Sequence, residues 1–198
     1  MRYIMASNKI EIESKILLSK KDYERLASKL GFSEKEIVQT NYYRDSTDRK
    51  LKKYGRVIRL RKTGDEYVLT RKAPLSEGLL EKNQYLSQKD ADSLISHNVF
   101  PRGDIADFLV TLHLPASELR ILAELTTHRR EAVYKDTDLD ISKNEYGKKV
   151  DYELECDSDS AVKSQNTLQE ICENYDLEFK LNTLSKETRA INAALEGK

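Results

Sequence analysis

Residues 8–18 read NKIEIESKILL, a strict alternation of two classes of side chain. One face of an extended chain would carry small or apolar residues, Ile10, Ile12, Ser14 and Ile16. The opposite face would carry charged residues, Glu11, Glu13 and Lys15. This period of two predicts a β-strand, because successive side chains of a strand point to opposite sides of its sheet.

The segments that follow predict one helix and further strands. Ser19 is a suitable N-cap, and Gly31 stands where a left-handed residue ends many helices. Residues 37–44 predict a second strand. Residues 55–62 and 66–73 predict a hairpin with a glycine in its loop.

The middle of the chain is more polar and carries helical patterns. Residues 74–84, PLSEGLLEKNQ, predict a connector without regular structure. Ser87 is a suitable cap for the first of two helices, which lie in an insert at about 86–120. Strands, helices and strands again, in this order, predict an α+β fold.

The last third predicts strands followed by helices. Long alternating patterns indicate strands over 121–134 and 148–156. Between them, 138–141 predicts a short strand, followed by a turn with Asn144 and Gly147. Helical patterns occupy about 160–196. We expect a single domain over 1–198, with the insert and the C-terminal helices as parts of it.

Composition excludes several classes of function. The chain has 198 residues, 34 Lys and Arg, and 34 Asp and Glu, so a formal net charge of zero argues against a nucleic-acid partner. There is no apolar run long enough for a membrane span and no secretion signal, so we expect a cytoplasmic protein without a membrane partner. Cys156 and Cys172 are too few for a disulfide framework or a zinc site. No glycine-rich phosphate loop is present.

Charges of one sign are grouped on the predicted strand faces. Cations alternate along the hairpin and along 121–134, at Arg59, Arg61, Lys72 and Arg129. Acids alternate along the late strands, at Asp138, Asp140, Asp151, Glu153 and Glu155. A hydrated outer face is one explanation, but like charges two residues apart repel, so exposed strands usually mix the two signs. Grouped carboxylates suit Mg²⁺ or Mn²⁺, and grouped Arg and Lys suit phosphate oxygens.

In their order and spacing, these segments resemble the CYTH, or triphosphate tunnel metalloenzyme, superfamily. EIESK at 11–15 resembles its ExExK signature, and NYYRDSTDRKLKKYGRVIRLRK at 41–62 resembles a Tyr- and Asp-rich stretch that leads to an Arg-x-Arg strand. YVLTRKAP, LTTHRREAVY, DYELECD and SKETRA resemble later strands and a late helix start. The helical insert with PRGDIADFL is similar to the Gram-positive bacterial branch.

The resemblance implies a closed eight-stranded antiparallel β-barrel with helices outside and a charged tunnel inside. It implies Mg²⁺ or Mn²⁺ as cofactor and a triphosphate as small-molecule substrate. It assigns catalysis to Lys15 and Glu13. The implied phosphate-binding residues are Lys15, Arg59, Arg61, Lys72, Arg129 and Lys186. The implied metal ligands are Glu11, Glu13, Asp140, Glu153 and Glu155.

One position departs from the family pattern. Thr127 stands where many members have a lysine two residues before the arginine, here Arg129. His128 and Arg130 point away from Arg129 if the strand is regular, so we expect His128 to be hydrated and not a catalytic base.

Several functions suit this pattern. We expect a metal-dependent triphosphatase that hydrolyses inorganic tripolyphosphate, because the charged face would bind the phosphate chain itself. Thiamine triphosphatase activity and class IV adenylyl cyclase activity are alternatives within the family, although no base-stacking tryptophan is present. A polyphosphate-binding module without catalysis is an alternative outside enzymes. The insert is either a lid or a face for a homodimer.

Overall fold

The computed structural model describes residues 6–196 and shows an α+β architecture. The described chain has nine strands: β1 (Ala6–Glu11), β2 (Glu13–Leu18), β3 (Ile37–Asp45), β4 (Val57–Thr63), β5 (Glu66–Pro74), β6 (Leu79–Leu86), β7 (Arg120–Tyr134), β8 (Thr137–Tyr146) and β9 (Lys149–Asp157). It also has six α-helices: α1 (Lys20–Lys29), α2 (Lys50–Lys53), α3 (Gln88–His97), α4 (Asp104–Thr111), α5 (Ala161–Asn174) and α6 (Lys186–Glu196).

The contacts divide the described chain into two compact units. Unit one comprises 6–10, 39–75 and 79–124. Unit two comprises 11–38, 76–78 and 125–196. Each unit has its own apolar core and its own group of buried charges.

Unit one is an antiparallel sheet in the order β1, β6, β5, β4, β3. The predicted hairpin is confirmed, since β4 pairs with β5 from Val57 opposite Lys72 to Thr63 opposite Glu66. The predicted connector at 74–84 is wrong, because most of it forms β6 and pairs with β5. Its buried positions are the polar residues Glu81 and Gln84, so the segment lacks the apolar alternation that indicates a strand.

The core of unit one lies between this sheet and the helical insert. Leu60 and Leu69 of the sheet belong to one buried cluster with Leu94 of α3 and Ile105 and Leu109 of α4. Ser87 caps α3 as predicted, because its Oγ accepts a hydrogen bond from the Asp90 amide at 3.1 Å.

A short helix, α2, interrupts the polar stretch between β3 and β4. The Asp45 carboxylate accepts hydrogen bonds from the Leu51 amide at 2.8 Å and the Lys52 amide at 3.2 Å. Leu51 is fully buried in the core of the unit. The Asp45 side chain therefore satisfies amides near the start of a helix that is too short to do so itself.

Unit two places strands in the order β7, β8, β9, β2. The strand predicted at 138–141 is longer than expected, since β8 runs to Tyr146 and pairs with β9 along its length. Asn144 therefore lies inside β8 and not in a turn. The turn falls at Gly147, which has a positive φ of 58°.

The strand predicted over 8–18 is divided into two at Ile12. β1 pairs with β6, whereas β2 pairs with β9. A Cβ on Gly78 would lie 2.3 Å from the carbonyl oxygen of Glu11, so only glycine permits this close approach at the break. The described strands therefore number nine where the resemblance implies eight, and closure of the barrel stays a prediction.

The core of unit two lies between its sheet and the helices α1 and α5. Ile16 and Leu154 of the sheet belong to one cluster with Leu26 of α1 and Leu168 and Ile171 of α5. Cys156 and Cys172 lie in the same cluster as free thiols, as expected. Among the described residues, no helix is both long and apolar enough to cross a membrane.

Candidate functional site

The alternation in β2 is confirmed within unit two. Ser14 and Ile16 are buried on one side of the strand. Lys15 lies on the other side, opposite Glu155 of β9 in the strand register. The Lys15 ammonium contacts the carboxylate of Glu13 and, at 3.3 Å, that of Glu155. Three of the predicted residues therefore meet at this edge of the sheet.

Glu155 is the centre of the charge cluster in unit two. It is fully buried and contacts Lys186 at 2.5 Å, Arg129 at 3.2 Å and Lys15. Burial alone would raise the pKa of Glu155, but the cations of Lys186, Lys15 and Arg129 hold it well below its usual range. Three cations therefore share this one buried anion, although each also contacts a second carboxylate.

Asp140 is the second carboxylate of this cluster. It lies opposite Glu155 in the β8–β9 register, and its Oδ2 contacts Arg129 Nη1 at 2.7 Å. Burial raises the pKa of Asp140 to about 6; Arg129 opposes the rise, and the charge of Glu155 adds to it. Asp138, the alternative two residues earlier, is exposed. The choice of Asp140 as the candidate site residue therefore agrees with its burial and contacts.

Glu153 is the third carboxylate, and the C-terminal helix α6 supplies both of its cationic contacts. Lys186 Nζ lies 2.5 Å from Glu153 Oε1, and Arg189 Nη2 lies 2.6 Å from Glu153 Oε2. Burial alone would lower the pKa of Lys186, whereas Glu155 and Glu153 raise it. The first turn of α6 is therefore held on this sheet face by buried ion pairs.

Behind Glu153 lies a hydrogen-bonded network that the sequence did not reveal. Arg189 Nε donates to Asp151 Oδ2 at 2.8 Å, and Asn144 Nδ2 donates to Asp151 Oδ1 at 3.0 Å. The Tyr146 hydroxyl also donates to Asp151, at 2.5 Å. Thr127 Oγ1 donates to Asn144 Oδ1 at 2.9 Å and so extends the network. The network connects the position that departs from the family pattern to α6.

His128 lies outside this cluster, as its place in the alternation predicts. Its Nδ1 is 2.9 Å from Glu36, which is exposed, and its Nε2 is 3.6 Å from Glu145, which is half-buried. The adjacent Arg129, by contrast, contacts Asp140 and Glu155. The side chains of neighbouring residues therefore diverge, as they do in a regular strand.

In unit one, a smaller cluster forms around Glu81. Lys72 Nζ lies 2.6 Å from Glu81 Oε1, and Arg59 Nη2 lies 3.8 Å from the same atom. Burial alone would raise the pKa of Glu81, but Lys72 and Arg59 lower it to about 2. Two cations that the family resemblance implies as phosphate-binding residues therefore share one carboxylate.

Arg61 has a neutral partner on the neighbouring strand. Its Nε donates to Asn41 Oδ1 at 3.0 Å, and the two residues are opposite each other in the β3–β4 register. Thr70, opposite Arg59, is also buried. Glu81 and Asn41 were missed as site residues, and the signal for both was their parity with the cations on paired strands.

The predicted site residues therefore fall into two groups, and each group is brought together within its own unit. The first, in unit one, contains Arg59, Arg61 and Lys72. The second, in unit two, contains Glu13, Lys15, Arg129, Asp140, Glu153, Glu155 and Lys186. Glu11 lies half-buried at the end of β1.

The carboxylates of unit two fit a hard divalent cation in their donor chemistry. They offer oxygen ligands, which Mg²⁺ and Mn²⁺ prefer. Burial and the negative charge of Glu155 raise the pKa of Asp140, and a divalent cation between the two carboxylates would relieve their repulsion. Within residues 6–196, however, no three acidic, His or Cys side chains are arranged as a metal site. In this structure the ammonium and guanidinium groups hold the carboxylates.

The described chain thus combines an α+β fold of antiparallel strands with Lys and Arg side chains that pair with buried carboxylates. The family model of the CYTH domain matches residues 9–191, and the chain belongs to this family.

Relatives agree with this membership. The Bacillus subtilis (strain 168) protein "Putative triphosphatase YjbK" is 30% identical over 172 residues, which are 86% of this chain and 89% of that protein. A Bacillus halodurans protein, described with its crystal structure as a putative adenylate cyclase, is 34% identical with a TM-score of 0.84, over 92% of this chain and 97% of that one. HpAC1 from Hippeastrum, 20% identical with a TM-score of 0.78 over 96% and 97% of the two chains, shares the fold.

Proposed function

We propose that this protein is a divalent-metal-dependent triphosphatase whose preferred substrate is inorganic tripolyphosphate. The observation that carries the proposal is the buried carboxylate group of unit two, Asp140, Glu153 and Glu155. A protein that only binds polyanions gains nothing from buried anions in its site, whereas a metal-dependent hydrolase needs them. The relative YjbK, named as a putative triphosphatase, supports the same reaction.

The cations of both units have a role in binding the phosphate chain. Arg59, Arg61 and Arg129 supply forked donors that match phosphate oxygens. Lys15, Lys72 and Lys186 supply compact charges. Before substrate binds, the ion pairs to Glu81 and Glu155 keep these cations charged and in position. When a triphosphate binds, its negative charge replaces the carboxylates as the partner of the cations.

The metal would be held by carboxylates among Glu11, Glu13, Asp140, Glu153 and Glu155. When bound, Mg²⁺ or Mn²⁺ supplies charge neutralisation at phosphate oxygens and acidifies a bound water. The ammonium of Lys15, between Glu13 and Glu155, would stabilise charge on a phosphoryl oxygen, and Glu13 would orient the water that attacks the phosphorus atom. The tunnel, and a single domain formed by both units, are parts of this proposal, as is a cytoplasmic location, for which two buried free thiols are suited.

A phosphate-release assay tests the proposal. Tripolyphosphate, ATP and thiamine triphosphate are each supplied with Mg²⁺, with Mn²⁺ and with a chelator. We expect release of orthophosphate that is fastest from tripolyphosphate and lost with the chelator. Glu155→Gln should abolish turnover, whereas the matched surface variant Glu145→Gln should keep it. Equal turnover in the presence of the chelator contradicts metal dependence.

Adenylyl cyclase activity is the second candidate, because the Bacillus halodurans relative is described as a putative cyclase. The same incubations separate the two reactions by product. A hydrolase releases orthophosphate from ATP and a cyclase releases pyrophosphate with cyclic AMP. Cyclic AMP as the main product from ATP, with tripolyphosphate inert, replaces the first proposal by the second.

A further inference from the structure

Arg44 of β3 is a buried arginine that the candidate site does not use. Only 4% of its surface is exposed. Asn41, three residues earlier, faces Arg61, so alternation turns Arg44 to the opposite side of the sheet. There Arg44 contacts the segment between α3 and α4: its Nη2 donates to Asn98 Oδ1, and its guanidinium lies 5.5 Å from the centre of the Phe100 ring.

The hydrogen bonding of this guanidinium is incomplete. Its Nε and Nη1 groups are buried and have no acceptor among the described residues. Its contacts in the structure are an amide oxygen and an aromatic ring. A buried cation that lacks an anionic partner is strongly destabilising, so such a site favours an anion supplied from outside the protein.

The surroundings of Arg44 add positive charge. Burial, together with the charge of Arg120, lowers the pKa of Arg44 to about 10. Arg120 is exposed and donates to the carbonyl oxygens of Ser117 and Leu119, which fixes its position at the start of β7.

Asp45, next to Arg44 in the sequence, and Glu118, two residues before Arg120, are both engaged with other groups. The Glu118 carboxylate contacts Lys50 Nζ at 2.7 Å. The Asp45 carboxylate accepts from the Leu51 amide and from Arg49 Nε, at 2.8 and 3.2 Å. Neither therefore serves as the counter-ion of Arg44.

We propose that Arg44 and Arg120 of unit one form a binding site for a phosphate-type oxyanion, beside the helical insert and on the opposite sheet face from Arg59 and Arg61. The buried guanidinium supplies two N–H groups for charge-assisted hydrogen bonds, and exposed Arg120 attracts the anion from solvent. Asn98 holds Arg44 in place, because its Nδ2 in turn donates to the Ala116 carbonyl at 3.2 Å. This inference does not depend on the triphosphatase proposal.

Inorganic phosphate is the probe, and thermal unfolding is the readout. The parent protein carries Arg59→Ala and Arg61→Ala, so that phosphate binding by those cations is weakened. Phosphate replaces chloride at constant ionic strength. We expect phosphate to raise the Tm of this parent, because a ligand of the folded state stabilises it in proportion to its affinity.

Adding Arg44→Met should reduce this rise to the part contributed by the remaining cations of the candidate site, and should weaken phosphate binding at the Arg44 site about tenfold or more, as expected for the loss of hydrogen bonds to a charged group. Arg120→Gln should reduce the rise in part. Arg102→Gln, at another exposed arginine of the insert, should leave it unchanged. If Arg44→Met does not fold, the comparison of Arg120→Gln with Arg102→Gln tests the site. A phosphate-induced rise of Tm that is smaller in Arg120→Gln than in Arg102→Gln supports the site, and equal rises contradict it.

Two results would overturn the site. One is a phosphate-induced rise of Tm that is the same with and without Arg44→Met. The other is a parent protein whose Tm does not respond to phosphate. If Arg44 only ties the insert to the sheet, Arg44→Met lowers the Tm equally at every phosphate concentration, which also contradicts the proposal.

Discussion

At the scale of single residues, Glu155 does two tasks in one place. It is a proposed metal ligand, and it is the shared anion of Lys15, Arg129 and Lys186. The second task follows from burial: without Glu155 each of the three cations would keep one other carboxylate, but the anion that all three share would be lost in a medium that solvates charges poorly. Stability and function therefore depend on the same carboxylate.

We predict that Glu155→Gln lowers the free energy of unfolding by about 3 kcal/mol or more, as when one partner of a buried ion pair is removed. Urea unfolding at neutral pH measures this change. Glu145→Gln is the control, because its side chain is 41% exposed and its pair with Lys143 should contribute about 1 kcal/mol or less. Equal stability of Glu155→Gln and the wild type would show that the three cations do not need this anion.

Glu81 gives a prediction for acid stability. Its folded pKa is lowered to about 2 from an ordinary value of 4.5 by Lys72 and Arg59, against burial. A carboxyl whose pKa is lowered by folding stabilises the protein above its unfolded pKa, and this contribution is lost as the pH falls through the folded pKa. The contribution of Glu81 is therefore complete above about pH 4.5 and declines towards pH 2.

The measurement is the difference in unfolding free energy between the wild type and Glu81→Gln in a pH series. We expect a difference that is constant from pH 7 to 5 and shrinks below pH 4.5. Glu24→Gln, at an exposed glutamate of α1, should show a small difference throughout. A Glu81→Gln difference that stays constant down to pH 3 contradicts the assignment of Lys72 and Arg59 as its partners.

At the scale of secondary-structure elements, α6 is attached to its sheet mainly by charge. Ala190 and Ile191 are buried, but the first turn is placed by Lys186 and Arg189 on Glu153, Glu155 and Asp151. Hydrogen bonds from Asn144 and Tyr146 of β8 fix the Asp151 carboxylate of β9, which contacts this turn of α6. The position of the Lys186 ammonium is therefore set by residues of two strands.

We predict that Arg189→Met loosens α6 while the rest of unit two stays folded. Amide hydrogen exchange in 186–196 should become about tenfold faster or more, because the buried carboxylate of Glu153 and the half-buried carboxylate of Asp151 lose a cation. Exchange in α5 should change little. Lys149→Gln is the matched control, since its pair with Glu196 at the other end of α6 is exposed. Unchanged exchange in α6 would show that its apolar face alone attaches it.

At the scale of the whole molecule, the two units supply different sets of charged groups for the proposed reaction. Unit one supplies cations around Glu81, and unit two supplies carboxylates for a metal as well as cations. If both act on one triphosphate, removing cations of unit one should mainly affect binding, and removing carboxylates of unit two should mainly affect turnover.

We predict that Arg61→Ala weakens tripolyphosphate binding at least tenfold, because its guanidinium supplies charge-assisted hydrogen bonds to phosphate oxygens. Glu153→Gln should lose Mg²⁺-induced stabilisation and turnover while tripolyphosphate still binds without metal. Calorimetry and thermal melts on the same preparations measure both effects. Unaltered tripolyphosphate affinity in Arg61→Ala would remove unit one from the substrate site.

Much of the candidate site could be predicted from alternation alone. A strand turns every second side chain to the same face, so the sequence correctly grouped Glu13 with Lys15, Glu153 with Glu155, and Arg59 with Arg61. It also separated His128 from Arg129. These relations are local, and the geometry of one strand is enough to set them.

Other features depended on which strands pair. Glu81 and Asn144 are buried and Asp151 is half-buried, and all three are contacted from other elements, by Lys72, Thr127 and Arg189 respectively. In the sequence Glu81 is a polar residue in a polar stretch, so the pattern at 74–84 predicts a connector where the structure forms β6. The sequence by itself determined the strand faces and the type of charge on each. Register decided which charges neutralise one another, because a contact between distant segments leaves no periodic signal in either of them.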